Sequence, residues 1–178
     1  MKIFNTKLNG IKLISLNKFK DNRGIFFESF NENRYKDLNL NINYRQDNFS
    51  SSKKNVLRGL HFCKSNPQAQ LVTVLRGKIF DVVVDLRKTS KTFGNWLSFE
   101  LSDKSISQIY MDKGFAHGFY VLSDFVDLHY KVSENYDVND DFGIFWDDKD
   151  LSINWPCKNP ILSEKDKNYP LFKEIKFI

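Results

Sequence analysis

The chain has 178 residues, 41% hydrophobic and 15% aromatic, with 17 Phe and a formal net charge of +5. That is enough apolar material for one folded domain over residues 1–178, and it argues against disorder. No apolar run approaches the roughly 18 residues of a membrane helix, and "MKIFNTKLNG" lacks the hydrophobic stretch of a secretory signal. Basic residues are interspersed with acidic ones and do not gather into a nucleic-acid-binding stripe. The expectation is a cytoplasmic protein with no membrane or nucleic-acid partner, whose Cys63 and Cys157 are free thiols.

Along the chain, residues 11–16 ("IKLISL") alternate apolar and polar as a half-buried strand does. Further strands are expected at 24–30, 43–50, 56–62, 70–77, 78–86, 95–101, 107–111, 116–123 and 125–132. Turn residues punctuate them: Asp21 to Gly24, Arg76-Gly77 and Lys113-Gly114. Two short helical segments fall at 31–38 and 163–167, the second opened by a Ser cap. This spacing predicts an all-β, cupin-like jelly-roll barrel with two or three short peripheral helices. Such a barrel holds a ligand in its mouth.

Several polar residues sit where a plain strand core would be apolar: Gln46, Asn48, Arg58, His61, Asp81, His117 and Tyr130. Buried without partners, each would cost about 1–3 kcal/mol, so a polar-lined cavity explains them better. In "VLRGLHF", strict alternation puts Arg58, Leu60 and Phe62 on one face and Leu57, Gly59 and His61 on the other. The three histidines, at 61, 117 and 129, do not follow His-x-His spacing, so no metal site is expected. Cys63 is expected on the strand face opposite His61, which removes a Cys–His nucleophile pair. Proton transfer is the chemistry left to a histidine, a tyrosine and carboxylates.

The motifs "DNRGIFFESF", "QDNFSSS", "VLRGLHF", "GKIFDVVVDLR", "TFGNW", "GFAHGF", "YK", "INWP" and "LSEKD" occur here in an order that resembles the dTDP-4-dehydrorhamnose 3,5-epimerases. The resemblance implies a homodimeric cupin barrel that needs neither cofactor nor metal. It implies that His61 is the base that removes a proton beside a sugar ketone. Tyr130 would be the acid on the opposite face, and Asp166 the carboxylate paired with the histidine. Arg23, Glu28, Gln46, Asn48, Arg58, His117 and Lys165 fall on positions that hold the nucleotide sugar, with Arg23 and Glu28 reaching into the neighbouring subunit's site. Tyr136 falls where a ring stacks on the nucleobase.

Two departures touch the substrate side. Gln70 stands where the family carries a lysine near the developing oxyanion, and Phe142 where an arginine is common. The implied substrate is a nucleotide-linked 4-keto sugar, either the dTDP-linked 6-deoxyhexose or a GDP-linked relative such as a heptose, with inversion at C3, C5 or both. A 3,4-ketoisomerase and a non-catalytic sugar-binding barrel are the competing readings.

Overall fold

The computed structural model describes residues 1–40 and 43–175. Most of the chain forms two antiparallel sheets, with strands numbered in chain order. The larger sheet runs β1 (Lys2–Asn5), β2 (Ile11–Ser15), β10 (Ser107–Met111), β7 (Gln70–Arg76), β12 (Phe125–Val132) and β5 (Gln46–Lys53). The smaller runs β13 (Phe142–Gly143), β6 (Leu57–Phe62), β11 (Phe115–Val121), β8 (Lys78–Asp85) and β9 (Trp96–Ser102). A separate hairpin joins β3 (Lys18–Asp21) to β4 (Gly24–Phe27). This is the expected cupin-like jelly roll.

The two sheets pack face to face. Val72, Val74, Ile109 and Leu128 from the larger meet Ile79, Val83, Phe119 and Val121 from the smaller in one core. The smaller sheet is also covered on its outer face, where Leu60, Val82, Val84 and Ala116 pack against Ile144, Leu151, Trp155 and Phe172. Strand β8 is therefore buried on both sides, which is why "VVV" at 82–84 reads as an unbroken apolar run. The outer face of the larger sheet packs Ile14, Leu71 and Tyr110 against Tyr35. Tyr35 comes from α1 (Glu32–Asp37), capped by the Asn31 side chain on the Arg34 amide. A second helix, α2 (Glu164–Lys167), starts at Ser163.

Three expectations shift. The strand expected over 24–30 stops at Phe27, because the Ser29 carbonyl is taken by Gln108 of the larger sheet and by the Tyr35 hydroxyl of α1. The strand expected over 43–50 runs from Gln46 to Lys53, since its partner β12 extends back to Phe125. Strands β1 and β3 were not expected, being lysine-bearing and too short for a periodic pattern to register.

The loop after β8 folds around one carboxylate. Asp85, fully buried, accepts hydrogen bonds from the Arg87 guanidinium and from the Ser90 and Thr92 hydroxyls. Burial pushes its pKa up, but those donors outweigh burial and hold the carboxyl at about 2. As pH falls, the unfolded chain takes up this proton first, so the stabilisation is complete above about pH 4 and is lost between about pH 4 and 2. The depression corresponds to about 2 kcal/mol. Asp85→Asn should therefore lose about 2 kcal/mol at pH 7 by urea unfolding. It should also remove part of the stability that the wild type loses between pH 4 and 2.

Candidate active site

The site begins with an irregularity in β6. His61 pairs with His117 and Arg58 with Phe119, so Gly59 and Leu60 together oppose Gly118 alone. This β-bulge re-aims the strand. Arg58 and His61 consequently line one cavity, which corrects the strict alternation expected for "VLRGLHF". Gly59 makes the bulge possible. Its φ is +124°, and a Cβ there would lie 2.5 Å from Gly118 Cα and 2.8 Å from the His117 carbonyl oxygen.

His61 is held from the C-terminal side of the chain. Its Nε2 lies 2.5 Å from Asp166 Oδ1. The other carboxylate oxygen accepts from Ser163 Oγ at 2.8 Å, and the same hydroxyl oxygen accepts the Asp166 amide as the α2 cap. Asp166 is 3% exposed. Burial raises its pKa, but the bond and charge of His61, together with Ser163, outweigh burial and keep the carboxyl below its usual range. A buried carboxylate against an imidazole fixes the ring's orientation and tautomer. Nδ1 is then the nitrogen left for other chemistry.

The cavity, about 220 Å³, opens between the two sheets. His61, Arg58 and His117 approach from the smaller sheet; Tyr130, Gln46, Asn48 and Gln70 approach from the larger. Burial raises the Tyr130 pKa above that of an ordinary phenol, Arg58 opposes the rise, and Asp141 adds to it. The Tyr130 phenol is therefore protonated and uncharged at neutral pH. His117 meets Asp81 at 2.7 Å, and Asp81 is wholly buried. Gln46 donates to Asn48 and accepts the Tyr136 amide, which ties the cavity floor to its rim. Arg58 is anchored through Nε to Ser52 while its side chain stays exposed at the mouth.

Sequence reasoning missed two neighbouring carboxylates. Asp140 accepts the amides of Lys64, Ser65 and Asn66, fixing the loop whose Cys63, Pro67 and Gln68 form one cavity wall. Asp141 accepts from Lys165 Nζ at 2.6 Å and from the Tyr136 hydroxyl at 3.2 Å. It thereby brings both expected residues to the rim. Nothing local in "YDVNDDFG" marks either role, because each partner is distant in sequence. Tyr169, edge-on to His61 with ring centroids 5.7 Å apart, was missed as well.

Cys63 requires a correction. Residues two apart share a strand face, and Cys63 lines the same cavity as His61. It is still a poor nucleophile, since burial pushes its thiol up to about 11. Both cysteines are free. Phe142 stacks on Phe62 with centroids 5.9 Å apart, giving this part of the rim an apolar surface. Arg23 sits on the exposed β3–β4 turn against Asp21, and Glu28 pairs with Arg34. Neither lines the His61 cavity of its own chain. Among the described residues, no group of three or more His, Cys, Asp or Glu could hold a metal ion, and no helix is long and apolar enough to cross a membrane.

A jelly roll with a His–Asp pair on one wall of its mouth and a neutral tyrosine on the other has the form of a cupin-type sugar epimerase. A sequence model of the dTDP-4-dehydrorhamnose 3,5-epimerase family matches residues 5–174. The chain belongs to that family and is an isomerase that epimerises a nucleotide-linked keto sugar. It is 45% identical to the dTDP-4-dehydrorhamnose 3,5-epimerase of Methanothermobacter thermautotrophicus, over 95% of this chain and 93% of the relative. The crystal structure of a dTDP-6-deoxy-D-glucose-3,5-epimerase from Legionella pneumophila, in complex with dTDP-4-keto-L-rhamnose, matches with a TM-score of 0.94 at 43% identity. That match covers 98% of this chain and 94% of the other. A dTDP-4-dehydrorhamnose 3-epimerase from Streptomyces niveus is 37% identical over 94% of this chain and 82% of its own length.

The bulge yields a direct test. Gly59→Ala forces a side chain into a left-handed backbone position already filled by Gly118. We expect a loss of at least about 1–3 kcal/mol in urea unfolding. Gly24→Ala, also at positive φ but with open space around it, should cost less. Equal costs would show that the Gly118 contact is unimportant.

Proposed function

We propose that the protein epimerises a dTDP-linked 4-keto-6-deoxyhexose, with His61 as base and Tyr130 as acid. The ketone at C4 acidifies the C–H bonds at C3 and C5, since the carbanion is delocalised as an enolate. His61 removes the proton from one face, and Asp166 balances the imidazolium that forms. Tyr130 returns a proton to the other face, which inverts the centre. The single observation that carries this reading is the placement of His61–Asp166 and Tyr130 on facing sheets of one cavity. Substrate lying between them presents opposite faces to base and acid.

The remaining cavity residues fit a nucleotide sugar. Arg58 offers a bidentate cation to a diphosphate, and Lys165, held by Asp141, adds a second positive charge at the rim. Tyr136 gives a ring for the nucleobase. His117, oriented by Asp81, and the amides of Gln46, Asn48 and Gln70 can donate to sugar oxygens and to the enolate oxygen. The relatives' dTDP-linked substrates support thymidine as the nucleoside. The opposed geometry favours epimerisation over a 3,4-ketoisomerase, which moves a proton between carbons on one face. Free thiols support a reducing cytoplasm as the setting.

We further propose a homodimer in which Arg23 and Glu28 complete the partner's site. The exposed Phe19, Ile25 and Phe26 on the same hairpin support this reading, being an apolar surface that a partner would cover.

His61→Asn should reduce turnover of dTDP-4-keto-6-deoxyglucose by at least about 10²–10⁴-fold, with the fold intact by circular dichroism. Tyr130→Phe should slow inversion more than deuterium wash-in, because His61 can still return a proton to its own face. Wild-type turnover by His61→Asn would overturn the assignment of the base.

Co-expression of His61→Asn with Arg23→Ala tests the shared site. A mixed dimer rebuilds one intact site from the two damaged chains, so random pairing should recover about a quarter of wild-type activity. No gain over either variant alone would rule out exchange of Arg23 between subunits.

A further inference from the structure

Tyr169 has no place in the proton-transfer scheme, yet it stands against the base. Its ring meets the His61 imidazole edge-on, at 5.7 Å between centroids and 69° between planes. The ring lies on the backbone of Gly143, where any Cβ would overlap Cε2 and Cζ. Gly143 is the cross-strand partner of His61 in β13–β6. The hydroxyl is buried without a hydrogen-bond partner among the described residues. Burial and the charges of Asp141 and Asp166 raise its pKa, so the phenol stays neutral.

The backbone fixes this placement. Tyr169 follows α2 directly, three residues after Asp166, and the carbonyl of the next residue, Pro170, accepts the Phe145 amide at 2.9 Å. One short turn therefore delivers two contacts to His61: a carboxylate to Nε2 and a ring edge to its flank. The His61 side chain lines the cavity and is 42% exposed. A hydrogen bond at Nε2 alone leaves the imidazole free to swing about that bond. A packed ring removes this freedom and keeps water from the flank of the His61–Asp166 pair.

We infer that Tyr169 is a positioning residue for His61, acting through its ring and not its hydroxyl, and that Gly143 is required to seat it. The inference rests on His61 as the base. A misplaced base loses rate without losing substrate affinity, and about 1 Å of error can cost about 100-fold.

The test is a double-mutant cycle on the full-length protein with dTDP-4-keto-6-deoxyglucose. Tyr169→Phe should retain kcat within about twofold, while Tyr169→Ala should lower kcat about tenfold or more and leave KM within about threefold. Gly143→Ala, which displaces the ring, should lower kcat similarly. In the Tyr169→Ala background the same Gly143→Ala change should cost nothing further, because no ring remains to displace.

Imidazole ¹⁵N NMR supplies a readout that needs no substrate. The His61 resonances should broaden in Tyr169→Ala and stay sharp in Tyr169→Phe. Equal damage from Phe and Ala would overturn the role of the ring, and additive Gly143 and Tyr169 effects would overturn the seating. Unchanged kcat and His61 resonances in Tyr169→Ala would overturn the inference entirely. A wild type inactive on the sugar, with His61 resonances that still respond as described, would count against the proposed function and leave the positioning role supported.

Discussion

The hydrogen bond between His61 and Asp166 is the contact around which this molecule is arranged. It joins residues 105 apart in sequence and ties the C-terminal segment to the smaller sheet. A carboxylate buried this deeply is tolerable only when its oxygens are satisfied, and here one faces the imidazole and the other the Ser163 hydroxyl. The α2 cap, the β6 bulge and the bare backbone of Gly143 each set one coordinate of that pair.

The second organising constraint is the facing of two sheets. A jelly roll closes its core with apolar side chains deep in the sandwich and leaves polar ones near the mouth. Because His61 belongs to one sheet and Tyr130 to the other, a flat substrate lodged between them is addressed from both sides. In the proposed mechanism, inversion then needs no movement of the protein: it follows from which wall each group stands on. The loop gripped by Asp140 and the rim joined by Asp141 close the same space from the ends.

Much of this was legible in the sequence. Alternation located most strands, and polar residues on strands marked the cavity lining. Eight expected site residues line one space: Gln46, Asn48, Arg58, His61, Gln70, His117, Tyr130 and Tyr136. What was not legible depends on contacts between distant segments. The bulge at Gly59 breaks the two-residue period that face assignments rely on, so Arg58 was placed on the wrong side. Asp140, Asp141 and Tyr169 act through partners that no local pattern names. Arg23 and Glu28 lie outside their own chain's cavity.

The proposed epimerisation needs two groups acting from opposite faces, and the origin of the hydrogen in the product tests this most directly. Wild-type protein is turned over with dTDP-4-keto-6-deoxyglucose in D2O, and early product is read by proton NMR. In that mechanism the hydrogen returned at each inverted centre comes from Tyr130 and not from the proton His61 removed, so every inverted centre should carry solvent deuterium from the first turnover. Inverted product that retains the substrate's own hydrogen would mean that one group carries the proton from face to face, and would contradict the account.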